Sequence, residues 1–291
     1  MDASPTATDR QHLHAEAEWR WRKLGQDHPD LAETIAFGRG LVKLYINELP
    51  AAGVIALTPE VAREKLAAGV PLLEEEDVQF DLPGIQRFFY RLCSWAGGQP
   101  DLAAAGDRLQ RALITEDLRA DDLLDAALNG DDEQLVAVAE RFGVPLEMVQ
   151  TLVGFTVSAA LLETGRALEP LLAAAGAAWE QPTCPICGGP PLLAELVGSE
   201  ETRLLRCAAC GVGWHAVPDR CVHCGFAADG TPHTLPDDRP DAANRLELCD
   251  HCHGYLKIAA VAAPTPAELL TIVDTAFLPL DAVARERGYA P

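Results

Sequence analysis

Cys184-Pro-Ile-Cys187-Gly188, Cys207-Ala-Ala-Cys210-Gly211, Cys221-Val-His-Cys224-Gly225 and Cys249-Asp-His-Cys252-His253 are four C-x-x-C pairs separated by 19, 10 and 24 residues. A C-x-x-C turn folds into a knuckle whose backbone amides point at the two thiolates. A glycine after the second cysteine takes the left-handed conformation that closes the turn. Gly188, Gly211 and Gly225 hold that position in three pairs, and His253 replaces it in the fourth. Two knuckles supply four thiolates, the complement of one tetrahedral metal. Eight cysteines therefore predict two sites, with Cys184, Cys187, Cys207, Cys210, Cys221, Cys224, Cys249 and Cys252 as ligands.

The segments between the pairs suggest which knuckles combine. Pro191 to Val197 reads as a strand, Gly198 to Thr202 as a turn, and Arg203 to Arg206 as a second strand running into Cys207. That order of knuckle, hairpin and knuckle returns the second pair beside the first. The second half repeats it: Cys221/Cys224, an excursion rich in Pro and Asp, then Arg245 to Leu248 into Cys249/Cys252. Sequential pairing is the assignment; an interleaved cross-brace is the alternative. Tetrahedral four-sulfur sites suit zinc or a single iron of rubredoxin type, and spacing does not separate them. Neither site leaves an open position for Lewis-acid catalysis. Thiol-disulfide exchange is the rival chemistry for a single C-x-x-C. Redox motifs stand alone in an alternating strand and helix fold, which this sequence lacks. His215, His223, His251 and His253 crowd the knuckles, but four sulfurs already complete each site. His223 and His251 are expected to face solvent, and Trp214 to pack over the first site.

Outward from the cysteines the pattern is helical. Leu31, Ile35, Val42, Tyr45 and Leu49 form one apolar stripe, with Gly38 on the same face allowing close approach of a neighbouring helix. Thr58 and Pro59 read as N-cap and first residue of a short helix. Pro83 and Gly84 open an aromatic segment from Ile85 to Trp95. Asp132 is expected to cap a helix ended by Gly143, and Pro145 to begin the longest helix, as far as Glu169, with another turn or two running to Trp179. After the cysteines, Thr265-Pro266-Ala267-Glu268 reads as a capping box. Leu269, Leu270, Val273, Phe277 and Leu280 then give a helical stripe that docks on the body. Cys93, beside Leu92 and Trp95, reads as a small buried hydrophobe. The acidic run Glu74 to Asp77 reads as a solvated loop. The fold class that follows is α+β: a helical domain over residues 1–180, two tandem rubredoxin-like or zinc-ribbon modules over 181–220 and 221–262, and a C-terminal helical segment over 263–291.

Composition narrows the function. The 291 residues are 48% hydrophobic, enough for real cores, and carry 23 Lys+Arg against 44 Asp+Glu, a formal charge of -21. Such a chain is repelled by phosphate backbones and anionic lipid. Residues 181–262, where a nucleic-acid-binding ribbon would need basic side chains, hold six Lys+Arg against ten Asp+Glu. The longest apolar stretch, Thr151 to Trp179, is interrupted by Glu163, Arg166, Glu169 and Pro170, so membrane insertion is not expected. Met1 to Lys23 has no apolar leader core, and a cytoplasmic address is expected, where cysteines serve as ligands or core residues and not as a disulfide framework.

The run Cys184-Pro-Ile-Cys-Gly-Gly-Pro-Pro, then Leu204-Leu-Arg-Cys-Ala-Ala-Cys, Gly213-Trp-His, Arg220-Cys-Val-His-Cys-Gly and Glu247-Leu-Cys-Asp-His-Cys-His-Gly-Tyr-Leu-Lys resembles the FdhE family of formate dehydrogenase accessory proteins. Arg22 to Leu49 is similar to that family's opening helical segment, and Leu269 to Tyr289 to its closing one. Pro232 to Arg239 departs from the family, being rich in Pro and Asp where others have strand residues. The resemblance implies a cytoplasmic, non-catalytic protein needed for active respiratory formate dehydrogenase, acting on the catalytic subunit before export. It further implies two rubredoxin-type iron ions held by the eight cysteines, with zinc as the other candidate. A zinc-ribbon nucleic-acid binder and an iron-dependent electron-transfer component are the competing classes.

Overall fold

The computed structural model describes residues 7–176, 179–215, 220–227, 233–237 and 244–290. Among the described residues eight helices precede the cysteines: α1 (Ala7–Asp27), α2 (Ala32–Glu48), α3 (Pro59–Ala67), α4 (Leu82–Gly97), α5 (Ala103–Ile114), α6 (Ala120–Asn129), α7 (Asp132–Phe142) and α8 (Leu146–Ala175). Gly38 of α2 lies against α1 as expected: a Cβ there would stand 2.5 Å from the ring of the buried Trp21. Thr58 caps α3 by accepting from Val61 N. Asp81 caps α4 through Gly84 N, and its Ile85, Phe88, Phe89 and Leu92 fill the main core together with Cys93. Burial pushes the Cys93 thiol well up, so it stays a neutral packing group.

Two helix boundaries differ from the sequence reading. Asp131, not Asp132, caps α7 by accepting from Gln134 N, and Asp132 is the first helical residue. Either aspartate suits the role, and the hydrogen bond selects between them. Gly143 ends α7 at φ 61°, as expected. Helix α8 runs past Glu169 and through Pro170 to Ala175. The proline removes the bond to the Arg166 carbonyl, and burial on both sides of it, at Leu168 and Ala175, holds the helix together. By length and hydropathy alone α8 could cross a membrane. In the fold it joins two cores instead: Val149, Leu152, Val153 and Leu162 face the helical core, while Leu161 and Leu168 pack beside Cys184, Cys207 and Cys210.

Among the described residues the cysteine region forms one six-stranded sheet: β1 (Pro191–Val197), β2 (Thr202–Cys207), β3 (Gly213–Trp214), β4 (His233–Pro236), β5 (Arg245–Leu248) and β6 (Tyr255–Val261), in the order β3-β2-β1-β6-β5-β4. Each ribbon is antiparallel, and the two are joined by parallel pairing of β1 with β6, Ala194 opposite Ile258 through Val197 opposite Val261. This fusion was not part of the sequence expectation, because parallel pairing between distant strands leaves no local mark. Much of the Pro- and Asp-rich excursion and the middle of the link between Gly211 and Arg220 lie outside the described residues.

The tail is stitched across both halves. Helix α9 (Leu270–Thr275), preceded by a 3-10 turn, brings Leu269 and Ile272 against Trp21, Val42 and Ile46. Helix α10 (Leu278–Glu286) and Phe277 pack Leu280 and Ala284 on Leu246, Leu248, Tyr255 and Ala259 of the second ribbon. The capping box at Thr265 does not form. Glu195 of β1, fully buried, accepts the Thr265 amide at 3.0 Å, and Glu268 turns instead to Arg166 at 2.5 Å. The turn is itself buried, with Thr265 at 1% and Glu268 at 2% exposure, so the wholly buried Glu195 carboxylate lies close enough to take its amide.

Candidate metal centres

All four knuckles share one backbone scheme. The amide of the first cysteine bonds a carbonyl beyond the turn: Cys184 to Gly189, Cys207 to Val212, Cys221 to Phe226 and Cys249 to Gly254, at 2.8–3.0 Å. Inner amides then point at sulfur, among them Ile186 N to Cys184 Sγ at 3.4 Å, Ala209 N to Cys207 Sγ at 3.4 Å, His223 N to Cys221 Sγ at 3.4 Å and Gly254 N to Cys252 Sγ at 3.4 Å. The closing residues are left-handed as expected: Gly188 at φ 75°, Gly211 at 68°, Gly225 at 71° and, without the freedom of glycine, His253 at 57°.

The sulfurs gather as Cys184, Cys187, Cys207 and Cys210, and as Cys221, Cys224, Cys249 and Cys252, with all members of a group within 4.8 Å of one another. Sequential pairing is the observed arrangement, and the cross-brace is not. Separations are 3.5 Å for Cys184–Cys210, 3.4 Å for Cys187–Cys207 and 3.8 Å for both Cys221–Cys252 and Cys224–Cys249. A tetrahedron with metal–sulfur bonds of about 2.3 Å has sulfur–sulfur edges of about 3.8 Å, so both groups have the dimensions of a four-thiolate site. Each can hold a metal ion, and zinc and iron fit equally.

The protonation balance of the bare thiols agrees. At the first cluster hydrogen bonds from Cys184, Cys187 and Cys210 draw Cys207 far down. Cys184 is pushed up, first by its contact with Cys187, and Cys210 first by its contact with Cys184. The close-packed sulfurs thus perturb one another's ionisation, and a cation among them would favour the thiolate form of all four. At the second cluster burial pushes Cys221 up to about 12.

Other residues near the clusters add contacts to what the sequence reading expects. Trp214, paired with Leu205 across β2 and β3, is buried in the same apolar cluster as Cys184, Cys207 and Cys210. His215 bonds the Arg203 carbonyl at 3.0 Å, and His251 stacks on Phe226 at 4.6 Å with 5° between planes. His223 is exposed, as expected, and its Nε2 also lies 2.9 Å from the Tyr255 carbonyl, tying the third knuckle to the start of β6. The run Glu74 to Asp77 is a largely exposed turn and loop, as expected, in which Glu76 pairs with Lys65 Nζ at 2.7 Å.

The support around the first cluster went unread in the sequence. Arg206, one residue before Cys207, donates Nη2 to the Gly211 carbonyl at 2.8 Å, and Nη1 to Glu195 at 2.6 Å and to the Thr265 carbonyl at 2.7 Å. A buried arginine fork therefore ties the second knuckle to β1 and to the tail. The signal was the placing of Glu195 within Leu192-Leu-Ala-Glu-Leu-Val, a charge inside an apolar strand.

A helical body carrying a double ribbon of four-thiolate knuckles defines a metal-ribbon protein of the rubredoxin and zinc-ribbon type. Known proteins narrow that class. The chain is 33% identical over 112 residues to the FdhE homologue of Shewanella baltica, covering 38% of this chain and 36% of that protein. It is 35% identical over 109 residues to FdhE of Escherichia coli, covering 37% and 34%. The matched stretch thus spans about a third of the length of these curated relatives. The crystal structure of the FdhE protein from Pseudomonas aeruginosa matches in fold with a TM-score of 0.61 at 23% identity, over 96% of this chain and 92% of that one. No protein-family model matches the chain. The likeness to the relatives holds over the matched stretch, and the crystal structure shares the fold; both agree with the resemblance read from the knuckle motifs.

Proposed function

We propose that this chain is an accessory protein for formate dehydrogenase, without an active site of its own, and that its eight clustered cysteines hold two metal ions. The observation that carries the reading is the pair of four-thiolate clusters within a fold shared with an FdhE protein over nearly the whole chain. In this reading the protein works in the cytoplasm and binds the catalytic subunit of formate dehydrogenase before export. The helical domain over 1–180 and the tail over 263–291 frame ribbons at 181–220 and 221–262. The metals are iron, by the resemblance; zinc would serve the same geometry as a purely structural ion. When bound, a four-thiolate metal supplies folding energy to its ribbon, and the knuckle amides stabilise the thiolate charge. Arg206 and Glu195 hold the first ribbon to the tail.

Two measurements test this. The tagged protein should retain the formate dehydrogenase catalytic subunit in a pull-down, and a deletion strain should lose formate oxidation; normal oxidation in that strain would sink the proposal. Anaerobic purification with metal analysis and a visible spectrum decides the ion, since ferric four-thiolate iron is coloured and bleaches on reduction whereas zinc is colourless.

A further inference from the structure

The two clusters share a local backbone and differ in everything around it. At the first, Cys184, Cys207 and Cys210 are each no more than 1% exposed, and Cys187 is partly covered. The cover comes from distant parts of the chain. The amides of Leu72 and Leu73 donate to the Pro185 and Ile186 carbonyls at 2.9 and 2.8 Å, laying the loop after α3 over the first knuckle. Gly165 of α8 presses on the second so closely that a Cβ there would stand 3.0 Å from Cys210 Cβ. Leu205, Trp214 and Ile258 complete an apolar shell.

At the second cluster Cys224 and Cys252 are exposed, and Cys221 and Cys249 only partly covered. Among the described residues a Cβ on Gly225 would meet nothing within 4 Å, whereas one on Gly211, the equivalent residue of the first cluster, would stand 2.6 Å from Ala267 Cβ. The neighbouring aromatic, Phe226, is itself 46% exposed. Ligand substitution at a four-thiolate metal needs an incoming donor to reach the ion or a thiolate to swing away. A dry, packed shell obstructs both, and an open one obstructs neither.

From this contrast we infer that the second cluster is an exchangeable metal site, filled and emptied by soluble chelating or thiol ligands, while the first holds its ion for the lifetime of the fold. The inference rests on the reading of the eight cysteines as ligands. On emptying, each metal–sulfur bond is replaced by a bond to the incoming ligand, and the freed thiolates take up protons; no electrons move. The emptied site also has a reporter. The tail closes on the fourth knuckle through Ala290 N to the His253 carbonyl at 2.8 Å, Tyr255 N to the Ala290 carbonyl at 3.0 Å and a Tyr289 hydroxyl bond to Asp250. Release of knuckle four frees that strap.

The test uses the full-length protein reconstituted with zinc. 4-(2-Pyridylazo)resorcinol is added as the competing chelator, with N-ethylmaleimide labelling mapped by mass spectrometry. One equivalent should leave at least about tenfold faster than the other, as expected when one site is reached without opening a packed core. Cys221, Cys224, Cys249 and Cys252 should be labelled in that phase, with the other five cysteines protected. Cys224→Ser should lose the fast equivalent and keep the slow one. Amide exchange should rise at Ala290 and Tyr255 in the fast phase alone. Two equivalents leaving in a single phase, or labelling of Cys184 and Cys207 first, would overturn the inference while leaving the ligand reading intact. Failure of reconstituted protein to hold any zinc would overturn both.

Discussion

Gly211 and Gly225 offer a matched pair for measuring what the helical body contributes to the first metal ribbon. Both close a knuckle in the left-handed region, at φ 68° and 71°. Alanine in that conformation costs about 1–2 kcal/mol, and its stiffer unfolded chain returns about 0.4–1 kcal/mol. Gly225→Ala, whose methyl meets nothing within 4 Å among the described residues, should therefore lose about 1 kcal/mol. The methyl of Gly211→Ala would meet Ala267 Cβ at 2.6 Å and Leu162 Cδ2 at 3.0 Å. The first neighbour is a short side chain fixed to its backbone, so it cannot turn aside. Overpacking of this kind adds about 1–3 kcal/mol, for a total of about 2–4 kcal/mol. Urea unfolding of the metal-loaded proteins, followed by far-ultraviolet circular dichroism at matched metal occupancy, gives the difference directly. Equal losses in the two variants, or a larger loss from Gly225→Ala, would refute the claim that the body clamps the first ribbon and leaves the second open.

Arg206→Met should destabilise by about 3–5 kcal/mol, because Glu195 stays buried without its charge partner. Adding Glu195→Met should recover much of that loss, as a double-mutant cycle in urea would show. Glu163 is held above its usual range, first by burial and then by Glu268, against the pull of Arg166. A raised carboxyl favours the fold fully below its unfolded pKa and ceases to do so as pH rises through the folded one. Glu163→Gln should thus be more stable than the parent at pH 7, and the advantage should vanish below the ordinary value of 4.5, as urea midpoints across pH would reveal. Cys93→Ala should leave two metal equivalents per chain by elemental analysis, since Cys93 is buried in the helical core and belongs to neither cluster.

The four-cysteine clusters were legible because their information is local. Two cysteines, the spacing between them and a left-handed residue after them specify a knuckle whatever surrounds it. The hairpin between knuckles one and two was readable from the alternation of apolar run, turn and apolar run. Gly38 and Thr58 likewise announced a close approach and a cap that few other residues supply. What stayed hidden was decided by partners far away in the chain. Thr265 to Glu268 has the pattern of a capping box, but Glu195, 70 residues earlier, takes the Thr265 amide, and Arg166 takes Glu268. The capping of α7 by Asp131 turned on a choice between adjacent aspartates. The contrast in cover between the clusters was invisible because Cys210-Gly211 and Cys224-Gly225 read alike, while Ala267 and Leu162 stand near only one of them.

The strand order carries a consequence of its own. Each ribbon contributes three strands, and the sheet runs β3-β2-β1 and then β6-β5-β4, so the last strand of the second unit lies against the first strand of the first. The joint is between unlike strands, as in a row of tiles laid facing one way, and not between like strands related by a two-fold axis. Such an array is polar, and nothing in its symmetry closes it after two units. Termination is left to the ends: β3 is two residues long and β4 is four, and short edge strands are how sheets discourage further pairing. Among the described residues the row ends in short strands at both margins, and only the cysteines of the first ribbon share an apolar cluster with α8.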